Sequence, residues 1–230
     1  TIEEEIGNKI LLKGGEIIEE QASNTIKGTS IKVKHLFYNV PARRKFLKSD
    51  QIEMRHIIEE FYRVALANPE IKMEMFHNKK NIFHLETSNF RKRIVNIIGN
   101  KINEKLVPIK EETNLINIHG FISKPEFAKR TRGEQYFFVN KRFIKNIYLN
   151  RSILTAFESL ISNNTFPSFF IHLSIDPSLI DINIHPTKTE IKFQDEKSIY
   201  SILKSTIKKS LGQYNLAPSI DFNQEIAFTK

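Results

Sequence analysis

GTSIKVKHLFYNVPARRKFLKSDQIEMRHIIEEFYRVALA, residues 28–67, passes from strand-like to helix-like patterning within one stretch. Ile31 and Val33 alternate with Lys32 and Lys34, the period-two signature of a half-buried strand over residues 30–35. Gly28 permits a tight backbone before it, and Asn39-Val40-Pro41 is a turn signal at its end. Residues 50–67 then follow the helical period. Met54, Ile57, Ile58, Phe61, Val64 and Ala65 form one apolar stripe. Asp50 and Glu53 have capping-box spacing, and Asn68-Pro69 stops the helix.

The same mixture extends in both directions. Upstream, residues 9–13 and 16–20 flank Gly14-Gly15, a hairpin signal, and residues 23–27 read as a polar loop. Downstream, strands over 71–76 and 81–85 surround the turn His77-Asn78-Lys79-Lys80. A domain boundary is expected at 87–89. Beyond it a short helix over 90–98 ends at Gly99, and strands follow over 115–123 and 136–139. A helix over 147–162 turns Leu149, Ile153, Leu154, Phe157, Leu160 and Ile161 inward, and Phe169, Ile171, Leu173 and Ile175 alternate along a further strand. Strands over 181–184 and 190–193 flank His185-Pro186. A last helix starts near Asp195, buries Ile199, Ile202, Leu203 and Ile207, and ends at Gly212; from Tyr214 the chain reads as the start of a linker. Strands and helices mix without strict alternation and without an internal repeat, which predicts two α+β domains, each with its own core.

Composition narrows the chemistry. The 230 residues are 40% hydrophobic and 27% charged, ordinary for a globular protein. With no Cys, a disulfide framework, a thiolate metal site and a cysteine nucleophile are excluded. No apolar run reaches the roughly 18 residues that span a membrane, and no signal peptide is visible, so a cytosolic location is expected. The chain opens at Thr1 inside what reads as an ongoing domain and is expected to be a piece of a longer protein. A net charge of +9 suits a polyanionic partner, nucleic acid before membrane, and charge alone leaves a merely basic surface as open an alternative.

Three segments carry possible chemistry. In the first, Arg43, Arg44, Lys45 and Lys48 cluster after the turn at Pro41, where they either contact phosphates or open a solvated helix. In the second, RTRGEQYFFVNKRFIK at 130–145, Arg130, Arg132, Lys141, Arg142 and Lys145 are interleaved with Tyr136, Phe137, Phe138 and Phe143. One strand face can be core while the other meets a phosphate backbone; the alternative is an edge strand guarded by charge. In the third, DINIHPTKTEIKF at 181–193, Pro186 forces a bend that presents Lys188, a compact ammonium suited to a terminal phosphate. The other reading is a surface lysine beside a kink. There is no G-x-x-x-x-G-K-[ST] phosphate loop, no G-x-G-x-x-G fingerprint, and no His spacing suited to a metal.

In this order LFYNVPARRKFL at 36–47, QYFFVNKRFIKN at 135–146 and DINIHPTKTEIKF at 181–193 resemble the MutL family of DNA mismatch repair proteins, over about residues 28–212. A type II topoisomerase or other GHKL ATPase is the alternative, disfavoured by NVPARRKFL. The resemblance implies that residues 1–87 are the second half of a GHKL-type ATPase domain. Residues 88–214 would be a transducer domain, a mixed sheet with helices on one side and a left-handed crossover, and 215–230 the start of a linker. Lys188 matches the lysine that reaches the γ-phosphate of ATP. Gly28 and Thr29 match the last nucleotide-proximal motif, and Arg142 a transducer arginine that contacts DNA. Lys141, Arg43, Arg44, Arg130 and Arg132 are further DNA-binding candidates. The family's catalytic glutamate, Mg-binding asparagine and adenine-site motif are not in these residues, so ATP and Mg belong to the longer protein, an ATPase, and this chain alone is expected to be no enzyme. Sequence-independent DNA, the mismatch recognition protein MutS, downstream repair enzymes and a second copy of the longer protein are the implied partners. Where the family often has Gly after the hairpin Asn, this chain has Lys141.

Overall fold

The structure, a computed structural model, describes residues 6–184 and 186–216, without the side chains of 215 and 216. His185 and the expected linker from 217 onward lie outside the described residues. The chain divides into two compact units between Ile57 and Ile58.

In the first unit β1 (Gly7–Lys13) and β2 (Glu16–Ser23) pair antiparallel, closing at Lys13 opposite Glu16. The two loop residues, Gly14 at φ 64° and Gly15 at φ 99°, occupy the left-handed region a tight hairpin requires. Pro41 opens α1 (Pro41–Lys45), where its missing N–H is no loss. The strand expected over 30–35 does not form: those residues are irregular, with Ile31 82% and Val33 75% exposed. Alternation supplies a face but not a ladder, and no described strand pairs with this segment. No described residue of 6–57 is buried.

Helix α2 (Asp50–Ala67) has the expected bounds. Glu53 Oε1 accepts from the Lys48 backbone N–H at 2.8 Å, and Asp50 is the first helical residue rather than the cap before it. Its buried face corrects the expected stripe. Ile57 and Val64 are each 54% exposed, whereas Ala65, Leu66 and Ala67 are buried and Phe61 and Tyr62 half-buried.

The second unit continues with β3 (Met73–His77) and β4 (Lys80–Leu85), a hairpin whose loop is only Asn78 and Lys79, both at positive φ. Helix α3 (Phe90–Ile98) is capped by Asn89, whose side chain accepts from the Lys92 N–H at 2.9 Å, and it stops at Gly99. A 3-10 helix, Asn100–Lys105, leads into β5 (Leu106–Glu112), a strand the sequence reading missed. Then come β6 (Asn117–Ser123), β7 (Gln135–Val139), β8 (Arg142–Ile144), α4 (Ile147–Phe157) and β9 (Phe169–Ser174). The chain ends with β10 (Ile180–Asp181), β11 (Lys192–Phe193) and α5 (Glu196–Leu216). Helix α4 is shorter than expected, which leaves Leu160 exposed. The strands over 181–184 and 190–193 shrink to the two-residue pair β10–β11, and α5 runs past Gly212.

A five-stranded sheet in the order β5-β6-β9-β7-β8 organises the unit, with β7 parallel to β9 and the other pairs antiparallel. Its central strands are buried on both faces. Phe137, Val139, Phe169, Ile171 and Leu173 join Leu149, Ile153 and Phe157 of α4 and Ile199, Leu203 and Ile207 of α5 in one core. Tyr136, Phe138 and Phe170 point the other way, to Ile94 and Ile97 of α3, the end of α2 and Leu85. α4 and α5 therefore share one face, as expected, and the opposite face is covered as well. At Gly120 on β6 (φ 152°) an added Cβ would overlap the Phe170 carbonyl oxygen, so only glycine lets β6 and β9 approach.

Candidate nucleic-acid interface

The β7–β8 hairpin gathers the best-placed cations. Its loop is Asn140 at φ 47° and Lys141 at φ 66°, the pair of left-handed residues that suits a two-residue turn. Asn140 is anchored three times to β9 and the residue after it. Its N–H donates to Leu173 O at 2.9 Å, its Nδ2 to Ile175 O at 2.8 Å, and its Oδ1 accepts from the Ile175 N–H at 3.1 Å. The turn is thus pinned to the sheet, and Lys141 and Arg142 project from a rigid support, both exposed.

Three side-chain contacts from α2 and the connection after it also hold the hairpin. Lys141 Nζ pairs with Glu70, in the connection between α2 and β3, and its hydrogen bond holds the Glu70 carboxyl below the usual carboxylate range. Behind Glu70 lies Arg93 of α3, fully buried, whose Nη2 donates to the carbonyls of Pro69 (2.7 Å), Ile71 (2.7 Å) and Glu86 (3.1 Å). Nearer the sheet, the Tyr136 hydroxyl donates to Glu59 Oε2 at 3.1 Å. Burial first, and the Glu59 charge second, push that phenol above its ordinary range. Arg63, beside Glu59, stacks over the Phe143 ring at 4.3 Å. None of Glu59, Arg63, Glu70 or Arg93 was singled out from the sequence; their partners lie far along the chain and no local pattern marks them.

The segment bearing Lys188 is tied to the same edge of the sheet, because the Lys145 N–H just after β8 donates to Thr189 O at 2.7 Å. Lys188 itself is exposed, with φ 51°. Arg130 and Arg132 precede β7, whereas Lys141 and Arg142 follow it. The length of that strand, roughly 15 Å, separates the two pairs, so the expected single patch over 130–145 is divided. Arg132 stacks on Phe166 at 4.9 Å. Gly28 (φ 146°), Thr29, Arg43 and Arg44 all lie in the first unit and are exposed; an added Cβ at Gly28 would meet nothing.

Each taken by itself, the exposed ammonium of Lys188 in the second unit and the unobstructed backbone at Gly28-Thr29 in the first suit a phosphate oxygen in kind. They do not fit Mg, since no group of three His, Asp or Glu among the described residues could hold a metal ion. No helix among the described residues is long and apolar enough to cross a membrane.

A sequence model of the DNA mismatch repair protein C-terminal domain matches residues 94–212. The DNA mismatch repair protein MutL of Christiangramia forsetii is 56% identical over 225 residues, 98% of this chain and 36% of that protein's length. The chain therefore spans about a third of such relatives. A crystal structure of the N-terminal domain of a DNA repair protein superposes with a TM-score of 0.79 at 24% identity, covering 94% of this chain and 71% of the other. The Aquifex aeolicus MutL ATPase domain complexed with ADP superposes with a TM-score of 0.64 at 22% identity, covering 90% and 69%. At these identities the likeness is one of fold.

Proposed function

The chain belongs to the MutL family of DNA mismatch repair proteins, and on that premise we propose that it is the transducer region and part of the ATPase domain of a longer repair protein. In this reading residues 1–87 complete the ATPase domain, 88–214 form the transducer and 215–230 begin a linker. The chain holds duplex DNA by its phosphates. The observation that carries this is the rigid β7–β8 turn, which holds exposed Lys141 in its anchored loop and exposed Arg142 at the first position of β8.

Arg142 is the principal DNA contact, because no described carboxylate pairs with it while Lys141 is held by Glu70. Arg130, Arg132, Arg43 and Arg44 add phosphate contacts outside the turn. Contacts to phosphate alone make binding insensitive to sequence. ATP, when bound to the longer protein, supplies the charge to which Lys188 responds. Lys188 would meet the terminal phosphate of bound ATP, and the Lys145–Thr189 hydrogen bond ties its segment to the hairpin; separately, in the first unit, Gly28 and Thr29 would offer backbone donors to nucleotide phosphate. Hydrolysis belongs to residues of the longer protein, as does any Mg site, and this chain alone is not an enzyme. The longer protein works in the cytoplasm as a dimer, relaying recognition by MutS to the enzymes that remove a strand.

Arg142→Glu tests the reading. Affinity for two duplexes of unrelated sequence should fall together, by at least about tenfold at low salt. Unchanged affinity, or loss for one sequence only, contradicts it. Lys188→Ala in the longer protein should weaken the ATP dependence of DNA binding and leave DNA binding without nucleotide intact.

A further inference from the structure

We propose that Glu70 is a built-in competitor for DNA phosphate: it occupies the Lys141 ammonium in the free protein and so sets how tightly the β7–β8 turn grips DNA. This inference rests on the phosphate-binding reading of that turn. It concerns a carboxylate from a different part of the chain, 71 positions before its partner.

Three observations support it. First, the pair is specific. Lys141 Nζ meets one carboxylate, and the carboxyl of Glu70 is held below its usual range chiefly by that hydrogen bond. Second, Glu70 is not on a loose loop. The carbonyls on either side of it, Pro69 O and Ile71 O, both accept from the buried Arg93 guanidinium at 2.7 Å. The Ser88 N–H also donates to Pro69 O at 3.0 Å. The Lys141 side is equally fixed, through the three hydrogen bonds of Asn140. Both backbones are pinned, so the carboxylate is presented to the ammonium with little loss of chain entropy. Third, the pair is open to solvent, with the Lys141 and Glu70 side chains 61% and 51% exposed. An incoming phosphate can therefore reach the ammonium and displace the carboxylate.

The neighbouring Arg142 has no carboxylate partner among the described residues, so the turn meets DNA with one cation not so paired and one already neutralised. A cation already neutralised by the protein's own carboxylate releases no counterion from DNA until that carboxylate is displaced. Glu70 thus weakens affinity and flattens its salt dependence. It also disfavours any anion that cannot displace it, a form of negative selection.

The test is a double-mutant cycle on the chain with a fluorescent mixed-sequence duplex, from about 50 to about 200 mM salt. Glu70→Gln should tighten binding by roughly three- to tenfold at the low end and steepen the slope of log affinity against log salt by about one. In the Lys141→Gln background the same change should have much less effect, because the cation it frees is gone. Equal tightening in both backgrounds would show Glu70 acting only as a distant charge and overturn the proposal. No effect of Glu70→Gln while the wild type binds would also overturn it, leaving the DNA reading in place. Failure of the wild type to bind at low salt would remove both. Carbon NMR of the Glu70 carboxyl gives a readout independent of DNA: Lys141→Gln should move its titration up toward the ordinary carboxylate range, and an unmoved titration would contradict the pairing.

Discussion

His172 shows how a single side chain takes its character from its surroundings. It lies on β9, stacked against His119 (ring centroids 5.0 Å apart) and Phe138 (4.7 Å), with the Phe90 ring edge-on at 4.5 Å. Burial, and to a lesser degree the neighbouring His119, hold its imidazole down to about 4. Above pH 6.5 neither the folded nor the unfolded chain protonates it. Between about 6.5 and 4 only the unfolded chain takes up the proton, so stability falls as pH drops through that window, by about 3 kcal/mol in all. Urea midpoints measured across it should fall less steeply for His172→Phe than for the wild type; parallel curves would mean the buried imidazole is not responsible. Lys141 is a second case. It holds a left-handed φ of 66° that glycine adopts without cost. Lys141→Gly should therefore leave stability unchanged or raise it by up to about 1 kcal/mol, even though it deletes the exposed ion pair. A loss above about 1 kcal/mol would assign that pair a structural role. The sequence marked Lys141 and Arg142 as cations of the 130–145 stretch, and the family resemblance picked out Arg142 among them. It could not mark Glu70 or Arg93, which matter only through partners brought near by folding.

Elements with a strong local signal were readable in advance. The Gly14-Gly15 turn, α2, α3 with its end at Gly99, and the alternation along β9 all carry their instructions within a few residues. Elements that depend on a neighbour were not. Residues 30–35 have the alternation of a strand without a ladder. β5, which carries Pro108 and a charged end, forms because β6 pairs with it along its full length. Likewise α2 buries its final turn most fully and leaves Ile57 and Val64 of its predicted stripe exposed, because its packing partners are β3, β4 and α3. Two substitutions probe these dependences. Gly120→Ala drives a Cβ into the β9 backbone and should cost about 2–3 kcal/mol, read as a lower urea midpoint. A near-neutral result would mean that β6 and β9 can separate freely. Tyr136→Phe removes the hydrogen bond to Glu59 and should cost about 1 kcal/mol. The same change in a Glu59→Gln background should cost less, and equal costs would show that the two groups do not act together.

Across the whole molecule, a basic balance is turned into a surface by topology. The net charge of +9 favoured a polyanion without locating one. The sheet then divides the cations of residues 130–145 between the two ends of β7, and the hydrogen bond from Lys145 to Thr189 joins the Lys188 segment to the hairpin. The division explains why spacing along the chain overstated the patch: residues close in sequence are carried apart by an extended strand. Family membership rests on the match over residues 94–212 and on the identity to MutL relatives, while the proposed DNA contact is argued from geometry and charge. The most direct test is the affinity of the wild-type chain for two duplexes of unrelated sequence across a salt series. Phosphate contact by a few of the proposed cations predicts a log–log slope between about −2 and −5, the same for both duplexes, with affinities that agree within about threefold. A flat salt dependence, or a strong preference for one sequence, would contradict it.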